Sequence, residues 1–124
     1  MTQSVLVVDD EPMARTLLRL MLVRAGFNVS EAENGRDALE KVRLNLPDIM
    51  ILDVMMPGMD GFEVCQTLRD NELTASLPVI MLSAKTDLDS INYGLRVGAT
   101  KYLKKPISPE ALTDHLRETL DINP

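Results

Sequence analysis

The stretch SVLVVDDEPMARTLLRLM, residues 4–21, passes from one hydrophobic period to another with no linker between them. Ser4 to Val8 carries a continuous apolar run, the pattern of a strand covered on both faces, and Met13, Leu17 and Met21 then recur at helical spacing. Pro12 falls at the first turn of that helix, where its missing N–H costs nothing, and Gly26 follows the helix end. Asp9, Asp10 and Glu11 stand at the junction. Neighbouring carboxylates repel, and at the edge of an apolar core they also lose hydration, so this junction needs a compensating positive charge.

The same unit recurs along the chain. "DIMIL" (Asp48 to Leu52) and "VIML" (Val79 to Leu82) are continuous apolar runs, while "FNVSEA" and "TKYLK" are weaker and predicted nearer the sheet edges. Ala38, Leu39 and Val42, then Phe62, Cys65 and Leu68, then Leu88, Ile91 and Leu95, and finally Leu112, Leu116 and Leu120 repeat at helical spacing. Asp60 is placed to cap the third helix, Gly98 follows the fourth, and Ser108-Pro109 opens the fifth. Five strands alternating with five helices predict an α/β fold, in which right-handed crossovers build a parallel sheet covered on both faces.

The 124 residues, 45% of them hydrophobic, fit one domain, 1–124, with a single core. A formal net charge of -6 argues against direct nucleic-acid binding, which needs clustered Lys and Arg, and against an acidic membrane surface. One cysteine, Cys65, closes no internal disulfide and points to a reducing compartment and core packing. Val5 to Val8 is too short for a signal peptide and no run approaches spanning length, so a soluble, cytoplasmic protein is expected.

In a parallel sheet every strand ends at the same edge, and ligands bind there where strand order reverses. Asp9 and Asp10 follow the first strand, Asp53 the third and Ser83 the fourth, with Lys105 just beyond the fifth. Singly, these residue types are ordinary caps, turn residues and solvated charges. Together, three carboxylates, a hydroxyl and one ammonium leave an excess of negative charge that a hard divalent cation would relieve. An all-oxygen set suits magnesium rather than zinc, which favours His or Cys.

"VLVVDDEP", "DIMILDVMMPGMDGFEV", "PVIMLSAK" and "GATKYLKKPIS" resemble, in order and over essentially the whole chain, the motifs of the receiver domain of two-component response regulators, the CheY-like proteins. The resemblance implies a doubly wound, flavodoxin-like sheet of order 2-1-3-4-5. It makes Asp53 the phosphoacceptor and a magnesium ligand, Asp10 a direct ligand, Asp9 a ligand acting largely through water, and Met55 a ligand through its backbone carbonyl. Ser83 would meet a phosphoryl oxygen, and Lys105, directly before Pro106, would be the family lysine, the Lys105-Pro106 bond being cis. Tyr102 matches the family's switch aromatic, which with Ser83 would alter the face made by the fourth helix, fifth strand and fifth helix. Glu11 reads as a helix N-terminal acid, and His115 as structural or surface.

The implied function is a phosphorylation-activated signalling switch, a regulator rather than an enzyme, though it assists its own phosphorylation and dephosphorylation. Its donor would be a sensor histidine kinase or a histidine phosphotransfer protein. Its output would pass to a downstream effector, an attached output domain or a second copy of the chain. The closing "LDINP" fits a single-domain relay and a receiver excised from a longer protein alike. Among rivals, a flavodoxin-type cofactor binder would need a Ser/Thr/Gly-rich phosphate loop where "DDEP" stands, and an aspartyl phosphohydrolase would place its nucleophile after the first strand in a DxD pattern. A receiver-fold docking module acting without phosphorylation is the remaining alternative. The methionines around the loop after the third strand, Met55, Met56 and Met59, are expected to fill core and loop space.

Overall fold

The computed structural model describes residues 2–121. Strands β1 (Ser4–Val8), β2 (Asn28–Ala32), β3 (Ile49–Leu52), β4 (Val79–Ser83) and β5 (Lys101–Lys104) alternate with helices α1 (Pro12–Arg24), α2 (Gly35–Leu44), α3 (Gly61–Asp70), α4 (Leu88–Arg96) and α5 (Pro109–Leu120). The strands form one parallel sheet in the order β2-β1-β3-β4-β5. The order reverses between β1 and β3, so the crevice expected for a ligand opens at their C-terminal ends.

Strand composition sets this order. β1, β3 and β4, the continuous apolar runs, are buried and central, whereas β2 alternates exposed and half-buried positions up to the buried Ala32 and β5 is half-buried, as suits edges. Successive side chains point to opposite faces. Leu6, Val8, Met50, Leu52 and Met81 therefore pack with Val42, Val64, Cys65 and Leu68 of α2 and α3, while Val5, Val7, Ile49, Ile51, Ile80 and Leu82 pack with Leu18, Leu22, Leu112 and Leu116 of α1 and α5.

Helix starts follow local chemistry. Asn34, Asp60, Asp87 and Ser108 each accept a backbone N–H of the following first turn, bonds worth about 1 kcal/mol apiece. Of these, only Asp60 and Ser108 stand out in the sequence. α1 has Pro12 at its start and Glu11 at its N-cap with no side-chain cap bond, so Glu11 is a terminal acid only in position. Gly26 and Gly98 follow α1 and α4 with positive φ, as expected of chain-reversing glycines. No helix among the described residues is long and apolar enough to cross a membrane.

Candidate functional site

Register brings the acids together. Val8 aligns with Leu52, so Asp9 and Asp53 leave adjacent central strands side by side, and the Asp53 N–H donates to the Val8 carbonyl at 2.9 Å. Ser83 aligns with Lys104, and the Lys105 N–H donates to the Ser83 carbonyl at 2.9 Å. The Lys105-Pro106 bond is cis, as the resemblance implied. One carboxylate oxygen from each of Asp9, Asp10 and Asp53 lies within 4.8 Å of the others.

The three acids differ in environment. Asp9 is 1% exposed, Asp53 is 9% exposed, and Asp10 is open to solvent. Asp9 Oδ1 accepts the Glu11 N–H at 3.0 Å and its Oδ2 accepts Lys105 Nζ at 2.6 Å, whereas Lys105 Nζ stands 3.8 Å from Asp53 Oδ2. The lysine thus bonds Asp9 rather than Asp53, and among the described residues the Asp53 carboxylate accepts only a long bond, 3.4 Å, from the Met55 N–H.

Burial pushes the Asp53 carboxyl above the ordinary carboxylate range; Lys105 opposes this, the charges of Asp9 and Asp10 add to it, and the Met55 N–H opposes it weakly. The folded protein therefore holds this proton more tightly than the unfolded chain does. Its stabilising effect is complete below the unfolded carboxylate pKa and is lost as pH rises through the raised folded value. In its ionised form Asp53 opposes folding, and a cation bound beside it would offset that cost.

The donors fit such a cation. Three converging carboxylates against one ammonium leave net negative charge at a partly open rim, and the set consists wholly of oxygens, the chemistry that magnesium prefers. Met55 is 60% exposed, which leaves its side chain in solvent beside the rim.

Ser83 is fully buried, and its Oγ accepts the Lys85 N–H at 3.1 Å. The half-buried Tyr102 donates its hydroxyl to the Lys85 carbonyl. Both residues therefore grip the backbone of Lys85, in the loop between β4 and α4. Nothing in the sequence hints at this link, which runs through the Lys85 backbone.

Two glycines escaped that reasoning as well. A Cβ on Gly61 would lie 2.4 Å from the Asp53 carbonyl oxygen and 2.8 Å from Val54 Cα, so α3 begins pressed against the backbone that carries Asp53. A Cβ on Gly94 would lie 2.8 Å from the Tyr102 ring and 2.9 Å from the Met81 sulfur. The absence of a side chain on α4 makes room for that ring.

The remaining singled-out residues lie away from the rim. His115 Nδ1 is 3.1 Å from the Lys101 ammonium, which also pairs with Glu118 on α5. Cys65 is buried in the core with its thiol pushed up by burial, despite the nearby Arg69. Met56 is buried and Met59 packs against the core, but Met55 and Met13 are exposed, so core filling accounts for only some of the methionines.

The sequence profile of the response regulator receiver domain matches residues 5–117. The chain belongs to this family. It is 41% identical over 120 residues to the alkaline phosphatase synthesis transcriptional regulatory protein PhoP of Bacillus subtilis, covering 97% of this chain and 49% of that protein. It is 40% identical over 123 residues to the DNA-binding response regulator MtrA of Mycolicibacterium smegmatis, covering 99% of this chain and 53% of that protein. The receiver thus spans about half the length of these curated relatives. Among solved structures, the chemotaxis protein CheY4 of Vibrio cholerae superposes with a TM-score of 0.91 at 36% identity, covering 96% of this chain and 99% of that one. A CheY-like receiver domain protein of Methanospirillum hungatei superposes with a TM-score of 0.91 at 25% identity, covering 98% of this chain and 95% of that one.

Proposed function

We propose that residues 1–124 act as a single receiver domain, a cytoplasmic phosphorylation-activated switch whose phosphoacceptor is Asp53. One observation carries the reading: the Asp9, Asp10 and Asp53 carboxylates converge with Lys105 at the reversal point of a parallel sheet in a member of the receiver family. The donor is a phosphohistidine on a sensor kinase or phosphotransfer protein. A carboxylate oxygen of Asp53 forms a bond to phosphorus as the phosphorus–nitrogen bond of the donor breaks, and the leaving imidazole takes a proton.

Asp10 would hold magnesium directly, Asp9 largely through water, and Asp53 and the Met55 carbonyl would complete the protein's share. The bound ion would screen charge between the acceptor and the incoming phosphoryl group. Lys105, within reach of both Asp9 and Asp53, pairs with a phosphoryl oxygen as the Asp53 charge is transferred. The Ser83 hydroxyl gives up the Lys85 N–H and turns to another phosphoryl oxygen.

That turn carries the signal outward. Because Ser83 and Tyr102 hold the N–H and the carbonyl of Lys85, a change at Ser83 loosens the loop to which the Tyr102 hydroxyl is tied. The Tyr102 ring is then free to change its seat against Gly94, altering the face of α4, β5 and α5 that meets an effector, an attached output domain or a second copy. Amide NMR tests this with beryllofluoride as phosphoryl mimic. Wild type should show mimic-induced changes on that face, sharply reduced in Ser83→Ala and Tyr102→Ala. Changes of undiminished size in both variants would contradict the switch.

The lifetime of the phosphoryl group is governed by water at the rim. Met55 is exposed there and offers no strong hydrogen bond to orient an attacking water. Met55→Asn is expected to speed hydrolysis several-fold at equal magnesium and temperature. Loss of the phosphoryl mass with time measures it, and equal or slower decay would refute it.

A further inference from the structure

All the polar groups of Asp9 are engaged. Its N–H donates to the Ala32 carbonyl at 3.2 Å, Oδ1 accepts from Glu11, Oδ2 accepts from Lys105, and its carbonyl accepts Arg15 Nη1 at 2.7 Å. Arg15 lies in the first turns of α1 with its side chain only 15% exposed, and its Nε donates to Glu31 Oε1 at 3.3 Å. Glu31, on the edge strand β2, also accepts Arg19 Nη1 at 2.9 Å. The planar guanidinium fork spans two acceptors that a single ammonium would not hold together.

The Asp9 carbonyl shares its peptide plane with the Asp10 N–H, so gripping that carbonyl fixes the direction in which Asp10 leaves the chain. Asp10 has no other restraint of this kind: its carboxylate accepts no hydrogen bond among the described residues. Charge alone argues against an arginine here, because a cation beside a cation site weakens metal binding. Glu31 neutralises that charge while leaving the grip on Asp9 intact.

We propose that Arg15 is a positioning residue for magnesium, its guanidinium bridging the Asp9 carbonyl and Glu31 so that the Asp10 carboxylate is aimed at the ion. This rests on Asp9 and Asp10 being ligands, as proposed above. Positioning and charge predict opposite signs. Removing a neighbouring positive charge should tighten magnesium binding, whereas losing the grip on the Asp9 carbonyl should weaken it.

The experiment is a magnesium titration followed by amide NMR on wild type, Arg15→Lys, Arg15→Gln and Arg19→Gln, with thermal melting of each. Arg15→Lys keeps the charge and the aliphatic stem but loses the fork, and Arg19→Gln loses an equivalent partner of Glu31 that does not touch Asp9. Both Arg15 variants are expected to bind magnesium about tenfold more weakly, and Arg19→Gln as wild type does. Unchanged affinity in Arg15→Lys with tighter binding in Arg15→Gln would overturn the proposal and leave only an electrostatic role. If Arg15→Gln fails to fold, Arg15→Lys against Arg19→Gln decides alone. Wild type that binds no magnesium at millimolar concentration would instead overturn the reading of Asp9 and Asp10 as ligands.

Discussion

Chelating divalent cations is expected to slow phosphorylation by a small acyl phosphate donor by about a hundredfold or more, an effect of about 3 kcal/mol on the barrier. The size follows from the charge at the rim. Asp53 is already disfavoured as an anion by burial, with Asp9 and Asp10 adding repulsion, and the incoming phosphoryl group is itself anionic. Lys105 is the ammonium in reach, and its 2.6 Å bond to Asp9 commits it to a carboxylate other than the acceptor. The growth of the phosphoryl adduct in intact-mass spectra, with magnesium, with chelator and after adding magnesium back, measures the effect. A rate indifferent to chelation would mean that Lys105 suffices by itself and that the acids at the rim serve another purpose.

Gly61→Ala is expected to lower the melting temperature by about 5 to 15 °C, the consequence of roughly 2 kcal/mol of overpacking. The added methyl would sit 2.4 Å from the Asp53 carbonyl oxygen and 2.8 Å from Val54 Cα, and backbone cannot swing aside as a long side chain can. Either the start of α3 lifts away, losing the Gly61 N–H to Val54 carbonyl bond at 2.9 Å, or the backbone of Asp53 moves. Both displace the acceptor, so phosphorylation should slow even at temperatures where the variant is folded. The contrast is Gly58→Ala: among the described residues, no atom other than those of position 58 and its chain neighbours stands within 4 Å of the added Cβ, and the cost should be confined to strain at φ 78°. Melting curves that coincide for wild type and Gly61→Ala would contradict the close approach.

The sheet was legible because its central strands are apolar throughout while β2 alternates and β5 carries lysines at both ends. The rim residues were legible for a related reason: a parallel sheet delivers every strand end to one edge, so Asp9, Asp53 and Ser83 could be gathered from strand boundaries alone. The pairing of Lys105 with Asp9 was not, because 96 residues separate them and only packing decides which of two neighbouring carboxylates the ammonium meets. The grip of Arg15 on Asp9 and the links through the Lys85 backbone escaped because these bonds involve backbone groups, which every residue carries and no residue pattern marks. Gly61 and Gly94 escaped because their contribution is a missing side chain whose neighbours come from other elements.

The claim that Asp53 accepts the phosphoryl group is tested most directly by trapping it chemically. Borohydride reduces an acyl phosphate to the alcohol, so an aspartyl phosphate becomes homoserine, whose position tandem mass spectrometry of the digested protein assigns. After exposure to a small acyl phosphate with magnesium, homoserine should stand at position 53 in the wild type, and Asp53→Asn should yield none. Homoserine at position 9 or 10 in the wild type, or an acyl phosphate formed equally by Asp53→Asn, would contradict the account.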